Sequence, residues 1–190
     1  ISCFLSGIII SLIEIDIPLL VAVLNPISLR SSNSLTVLSL PAFTKDSPIM
    51  KLNLRGKKRE FFTTVGKHLD MILPTEANTS SSSSKLTSIW LSPDEWMIIS
   101  NETSEKDTNK YDVEESLYNS VSKTNLGGVI DVTDHFVMLE LEGKNIYELF
   151  ASGSPFNFNE FRNKKGSVIQ TILYHIDVIV HLTEINAANL

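Results

Sequence analysis

Val129–Leu182 reads VIDVTDHFVMLELEGKNIYELFASGSPFNFNEFRNKKGSVIQTILYHIDVIVHL. Val129-Ile130-Asp131-Val132 is a β-branched run. After it, Val137, Leu139 and Leu141 alternate with Phe136, Met138 and Glu140, the period-2 pattern of a strand. Gly143 precedes Ile146, Leu149 and Phe150, which fall on one side of a helix that stops around Gly153 and Pro155. Ser167–Tyr174 and Val178–Leu182 read as two more strands, with the turn at His175-Ile176-Asp177. Strands and helices alternate unevenly here. That predicts an α+β fold: a largely antiparallel sheet with helices packed on one face.

The same grammar extends toward the N-terminus. Met50, Leu52 and Leu54 alternate with Lys51, Asn53 and Arg55, the period-2 pattern of a half-buried strand. Phe61, Phe62, Val65 and Leu69 follow at helical spacing. NTSSSSSKLTS (Asn78–Ser88) has no core-forming capacity and reads as a mobile surface loop. Ile89–Ser100, IWLSPDEWMIIS, is strand, turn, strand, with Ser92-Pro93-Asp94-Glu95 supplying the turn chemistry. Asp112 and Glu115 have the spacing of a capping box, and Val113, Leu117 and Val121 form a stripe on a short helix ending near Gly127-Gly128. The compact domain is expected over residues 34–190, after an apolar leader at 1–33. A membrane helix needs about 20 mainly apolar residues. The leader carries Glu14 and Asp16 at its middle, where each charge costs about 2.5–3.5 kcal/mol. That disfavours a span: an upstream extension or a strand-like segment is the plainer reading, and a membrane or export element at residues 1–24 is the alternative. The tail EINAANL follows a strand-like run, which predicts a missing final element.

Composition narrows the chemistry. Among 190 residues, Asp plus Glu number 22 against 16 for Lys plus Arg, a net charge of -6, the wrong sign for a phosphate-backbone binder. The single cysteine, Cys3, excludes an internal disulfide framework and any multi-cysteine metal site. No Gly-x-Gly-x-x-Gly follows a strand, so a dinucleotide on a Rossmann unit is not expected. His175, Asp177 and His181 look metal-like in spacing, but a turn falls among them and surface histidines are the plainer reading. Asp131, Asp134 and His135 suit general acid–base work on paper, and a turn-stabilising Asp explains them as well. No Gly-x-Ser-x-Gly elbow is present. The expectation is therefore no catalytic, cofactor or metal residue in this chain. Aromatic anchors stand out instead: Trp90 and Trp96 around the turn, and Phe156, Phe158 and Phe161 in SPFNFNEF, as candidate interface residues.

Six strings occur in one order: LNLRG (Leu52–Gly56), LPTEANT (Leu73–Thr79), WLSPDEW (Trp90–Trp96), VIDVTD (Val129–Asp134), the Gly153-Ser154-Pro155 turn and IQTILYHIDVIVH (Ile169–His181). Together they resemble the gamma subunit of heterotetrameric sarcosine oxidase, from about Leu35 to Leu182. The resemblance implies a fold similar to the folate-binding domain of the glycine-cleavage aminomethyltransferases. It implies a cytoplasmic complex that oxidatively demethylates sarcosine to glycine, hydrogen peroxide and 5,10-methylenetetrahydrofolate. It also implies alpha, beta and delta partner subunits, with direct contact to alpha. FAD, FMN, NAD, tetrahydrofolate and zinc would then sit on those partners. The paired acidic residues of the aminomethyltransferases have no counterpart around Tyr174–Val178, where only Asp177 remains. The alternative reading is a stand-alone folate-binding module resembling those transferases.

Overall fold

The computed structural model describes residues 49–100 and 110–190 together with the strand Thr36–Leu38; the leader at 1–33 lies outside the described residues. The chain divides into two compact units, one made of Thr44–Val137 with Gly166–Val168, the other including Met138–Lys165 and Ile169–Leu190. The fold is α+β with antiparallel pairing, as the sequence predicts, but it holds two five-stranded sheets rather than one. Numbering along the chain makes Thr36–Leu38 strand β1.

The first unit contains β2 (Lys51–Gly56), α1 (Arg59–Leu69), β3 (Ser80–Ser82), β4 (Leu86–Ser92), β5 (Glu95–Ser100), α2 (Lys110–Leu117) with a π-helical turn at Tyr118–Ser122, and β6 (Gly127–Asp131). Its strand order is β3-β4-β5-β2-β6. The period-2 and period-3.6 patterns meet in the core. Leu52, Leu54, Trp96 and Ile98 from the sheet are buried with Phe61, Val65 and Leu69 from α1 and with Leu117 and Val121. Each such side chain contributes about 1.5–3 kcal/mol by leaving water.

Four local expectations are corrected here. β2 is not half-buried at Lys51: that side chain is buried, and its Nζ donates to the Ile49 and Thr133 carbonyls at 3.2 and 3.5 Å. The serine run is not a loose loop. Ser80–Ser82 pair with Thr87–Ile89, and the Ser83 N–H donates to the Leu86 carbonyl at 2.8 Å to close the turn. A ladder needs backbone groups, which serine supplies as well as any residue, and the Ser80 hydroxyl adds a bond to the Gly166 carbonyl at 2.8 Å. Asp112 lies inside α2 rather than at its cap. Gly127-Gly128 open β6 instead of ending a helix, because any Cβ at Gly127 would overlap the Arg55 carbonyl oxygen and the Phe61 ring.

The second unit contains β1, β7 (Glu140–Glu142), α3 (Ile146–Gly153), a 3-10 turn at Phe158–Phe161, β8 (Val168–Leu173), β9 (Ile176–Glu184) and β10 (Ala187–Asn189). Strand order is β1-β7-β10-β9-β8. The tail is an interior strand: β10 lies between β7 and β9, and the Leu139 and Leu190 N–H groups each donate to the other's carbonyl at 2.8 Å. β7 is shorter than its alternation suggests, with Val137 exposed and Met138 buried. Leu141, Val180, Leu182 and Ala188 of the sheet pack with Ile146, Leu149 and Phe150 of α3.

The β8–β9 turn falls one residue earlier than expected, on Tyr174 and His175, with φ of 50° and 72°. A two-residue hairpin turn with both central residues left-handed favours Asn and Gly. Tyr174 is held there, because its ring covers Gly153, its N–H donates to the Gly153 carbonyl at 2.8 Å, and its hydroxyl meets the Ser152 hydroxyl. His175 is exposed at the turn's second position. His175→Gly is expected to raise stability by about 1 kcal/mol by removing the left-handed penalty. A thermal or urea midpoint equal to wild type, or lower, would show that position 175 carries no strain.

Candidate interaction surface

The five aromatic candidates separate into core and rim. Trp90 and Trp96 are direct cross-strand partners across the β4–β5 turn, yet their surroundings differ. Trp96 is 1% exposed, packs near Phe61 and Phe62 with ring centroids at 5.8 and 5.2 Å, and donates Nε1–H to the Pro74 carbonyl at 2.7 Å. Phe158 is 2% exposed and stacks on Phe150 at 4.8 Å. Both rings belong to the chain's own cores and leave no surface for a partner, which corrects their reading as interface anchors. Trp90, Phe156 and Phe161 are half-buried.

Phe156 bridges core and rim. Its ring meets Phe158 edge-on at 5.0 Å and Phe161 at 5.4 Å. The segment that carries these rings is held by Asn157, whose side-chain oxygen accepts the Asn159 N–H at 3.3 Å and whose Nδ2 donates to Glu160 at 3.1 Å. Sequence reasoning missed the residues just beyond. The Arg162 guanidinium lies over the Tyr147 ring at 4.9 Å and the Lys164 ammonium over the Phe161 ring at 5.2 Å. The signal was present as FRNKKG directly after the aromatic run. A cation parked over a ring gains about 0.5–1 kcal/mol at an exposed site.

No group of three or more His, Cys, Asp or Glu that could hold a metal ion occurs among the described residues. Asp131 accepts the Thr133 N–H at 2.8 Å, the turn-stabilising role that competes with catalysis. His135 is exposed and meets Phe136 edge-on at 4.9 Å. His175 sits on the β8–β9 turn, whereas His181 is buried in β9, where burial pushes its imidazole down to about 4. Asp177 and His181 share a strand face but stand four residues apart, roughly 13 Å along the strand. Asp94 at the β4–β5 turn is held below the usual carboxylate range, first by the Ser92 hydroxyl and then by Lys57. Asp131 and Asp94 thus serve their turns.

The model of the sarcosine oxidase, gamma subunit family matches residues 56–189. No curated protein matches the chain. Among solved structures, a chain of heterotetrameric sarcosine oxidase from Corynebacterium sp. U-96, in complex with pyrrole 2-carboxylate, is similar in fold. The TM-score is 0.66 at 18% identity, over 83% of this chain and 73% of that one.

Proposed function

The chain belongs to the sarcosine oxidase gamma subunit family, and from that premise we propose that it is the small, non-catalytic subunit of a heterotetrameric sarcosine oxidase. The family match over residues 56–189 carries this reading. Its role is assembly, chiefly on the large alpha subunit, within a cytoplasmic complex that demethylates sarcosine to glycine and hydrogen peroxide and passes the one-carbon unit to tetrahydrofolate. Flavins, nicotinamide dinucleotide, folate and zinc belong to the partners in this reading. What supports a structural role is the use to which the chain puts its titratable side chains, with Asp131 at the end of β6 holding the following turn and His181 in a sheet interior. The docking surface is the rim of half-buried rings at Phe156 and Phe161. In the same reading, residues 34–190 form the gamma-subunit region.

The test is co-expression with the alpha, beta and delta subunits. The purified chain alone is expected to be colourless and unable to turn over sarcosine, and to enter the complex stoichiometrically when its partners are present. Sarcosine turnover by the chain alone would overturn the reading. So would tight tetrahydrofolate binding that depends on its acidic residues, which would favour the stand-alone folate module.

A further inference from the structure

We propose that Arg162 and Lys164 are the cationic contacts of that docking surface and receive carboxylates of a partner subunit, an inference that rests on the assembling-subunit reading. The first ground is local charge. Across the whole chain acidic residues exceed basic ones, 22 to 16, but Ser154–Lys165 holds Arg162, Lys164 and Lys165 against Glu160 alone. Lys165 is neutralised by its ion pair with Glu184. Arg162 and Lys164 meet no carboxylate among the described residues.

The second ground is presentation. Phe158 fixes the turn from below by stacking on Phe150, and the Lys164 N–H donates to the Phe161 carbonyl at 3.0 Å. Asn163 takes the left-handed conformation, φ 70°, so the chain reverses between the two cations. Each charged head is already placed over a ring, Tyr147 or Phe161, which reduces the ordering cost when a contact forms. Arginine and aromatic side chains together are the composition that dominates protein interfaces.

The third ground is the chemistry of the fork. The Arg162 guanidinium can take a carboxylate through two parallel N–H bonds, a geometry a rim lysine cannot match. The occupant that fits is an acidic protein segment flanked by apolar groups able to cover Phe156 and Phe161. Nucleic acid is disfavoured by the chain's net charge of -6.

The experiment uses the full chain co-expressed with its partner subunits, with assembly titrated at low and high salt. Relative to wild type, the double variant Arg162→Glu, Lys164→Glu is expected to bind about tenfold more weakly at low salt and to lose most of its salt dependence. Lys123→Glu, a reversal in the other unit, is expected to leave both unchanged. Should the double reversal fail to fold, Arg162→Met with Lys164→Met keeps apolar stems over the rings, removes the charges, and is expected to lose the same salt dependence. Unchanged affinity and unchanged salt slope in a folded variant overturn the inference while leaving the subunit reading intact. Wild-type chain that does not join its partners at any salt sinks the subunit reading itself. Binding to vesicles of phosphatidylserine and phosphatidylcholine, abolished by the double reversal while assembly is untouched, would assign the cations to a membrane and overturn the protein contact.

Discussion

Phe158→Ala is expected to destabilise the chain by about 3–5 kcal/mol, the range for removing a buried phenylalanine. Its ring is 2% exposed, is stacked on Phe150 at 4.8 Å and carries Phe156 edge-on at 5.0 Å. Truncation leaves a cavity under the 3-10 turn, and the turn's only buried side chain is lost. Native proteins hold roughly 5–15 kcal/mol in total, so the loss is a large share of what there is. For a chain of this size it should lower Tm by on the order of 10 °C. Phe161→Ala removes a half-buried ring and is expected to cost far less stability while weakening assembly. Thermal unfolding of the isolated variants, followed by co-purification with partner subunits, separates the two roles. If Phe158→Ala left Tm unchanged and abolished assembly, Phe158 would be an interface anchor and its place in the core would carry little energy.

The phenylalanine segment shows where local patterns stop being informative. Phe156, Phe158 and Phe161 lack a helical stripe, and a 3-10 turn of one revolution is too short to leave a periodic trace. Which ring goes inward depends on Phe150, eight residues before Phe158 and across the Gly153-Ser154-Pro155 turn. The tryptophans make the same point. The β4–β5 hairpin was legible from SPDE, and the register does place Trp90 opposite Trp96. The difference in burial comes from α1, whose Phe61 and Phe62 cover Trp96 from about 35 residues away in sequence.

Patterns confined to one element are legible in the sequence. The α1 stripe, the Leu52–Leu54 alternation and the one-sided helix α3 are set by local period, and each is buried as its period requires. Pairings between distant segments were not legible. β6 joins β2 across more than seventy residues, and β10 enters the middle of its sheet between β7 and β9. The burial of Lys51 was not legible either, because alternation predicts a face but not whether that face is covered. The family was legible from separate strings in order, of which LPTEANT, WLSPDEW and the strands after Val129 fall inside the matched residues 56–189. Arg162 and Lys164 leave no trace in local spacing, because their placement depends on the Tyr147 and Phe161 rings.

His181 gives the chain an acid-sensitive step. It lies in β9, 8% exposed, paired in register with Asn189, which in turn pairs with Glu140. Burial holds its imidazole neutral and brings its pKa from 6.5 to about 4. Between those values the unfolded chain binds a proton that the folded chain does not, so stability rises with pH across that window. The contribution is complete above the unfolded pKa and is lost as pH falls from about 6.5 toward 4, amounting to about 3 kcal/mol. Glu140 works in the opposite sense: burial raises its carboxyl pKa, so protonation favours the folded state as pH falls through the carboxylate range. The comparison with a histidine-free variant isolates the His181 contribution, because Glu140 is present in both chains. Urea midpoints measured at pH 7, 6, 5 and 4.5 are therefore expected to fall more steeply for wild type than for His181→Gln, which has no proton to take up. The difference between the two curves should open below pH 6.5 even if the variant is less stable at every pH. Parallel curves over the whole range would mean that His181 is protonated in the folded sheet and that its burial imposes no penalty on the charged form.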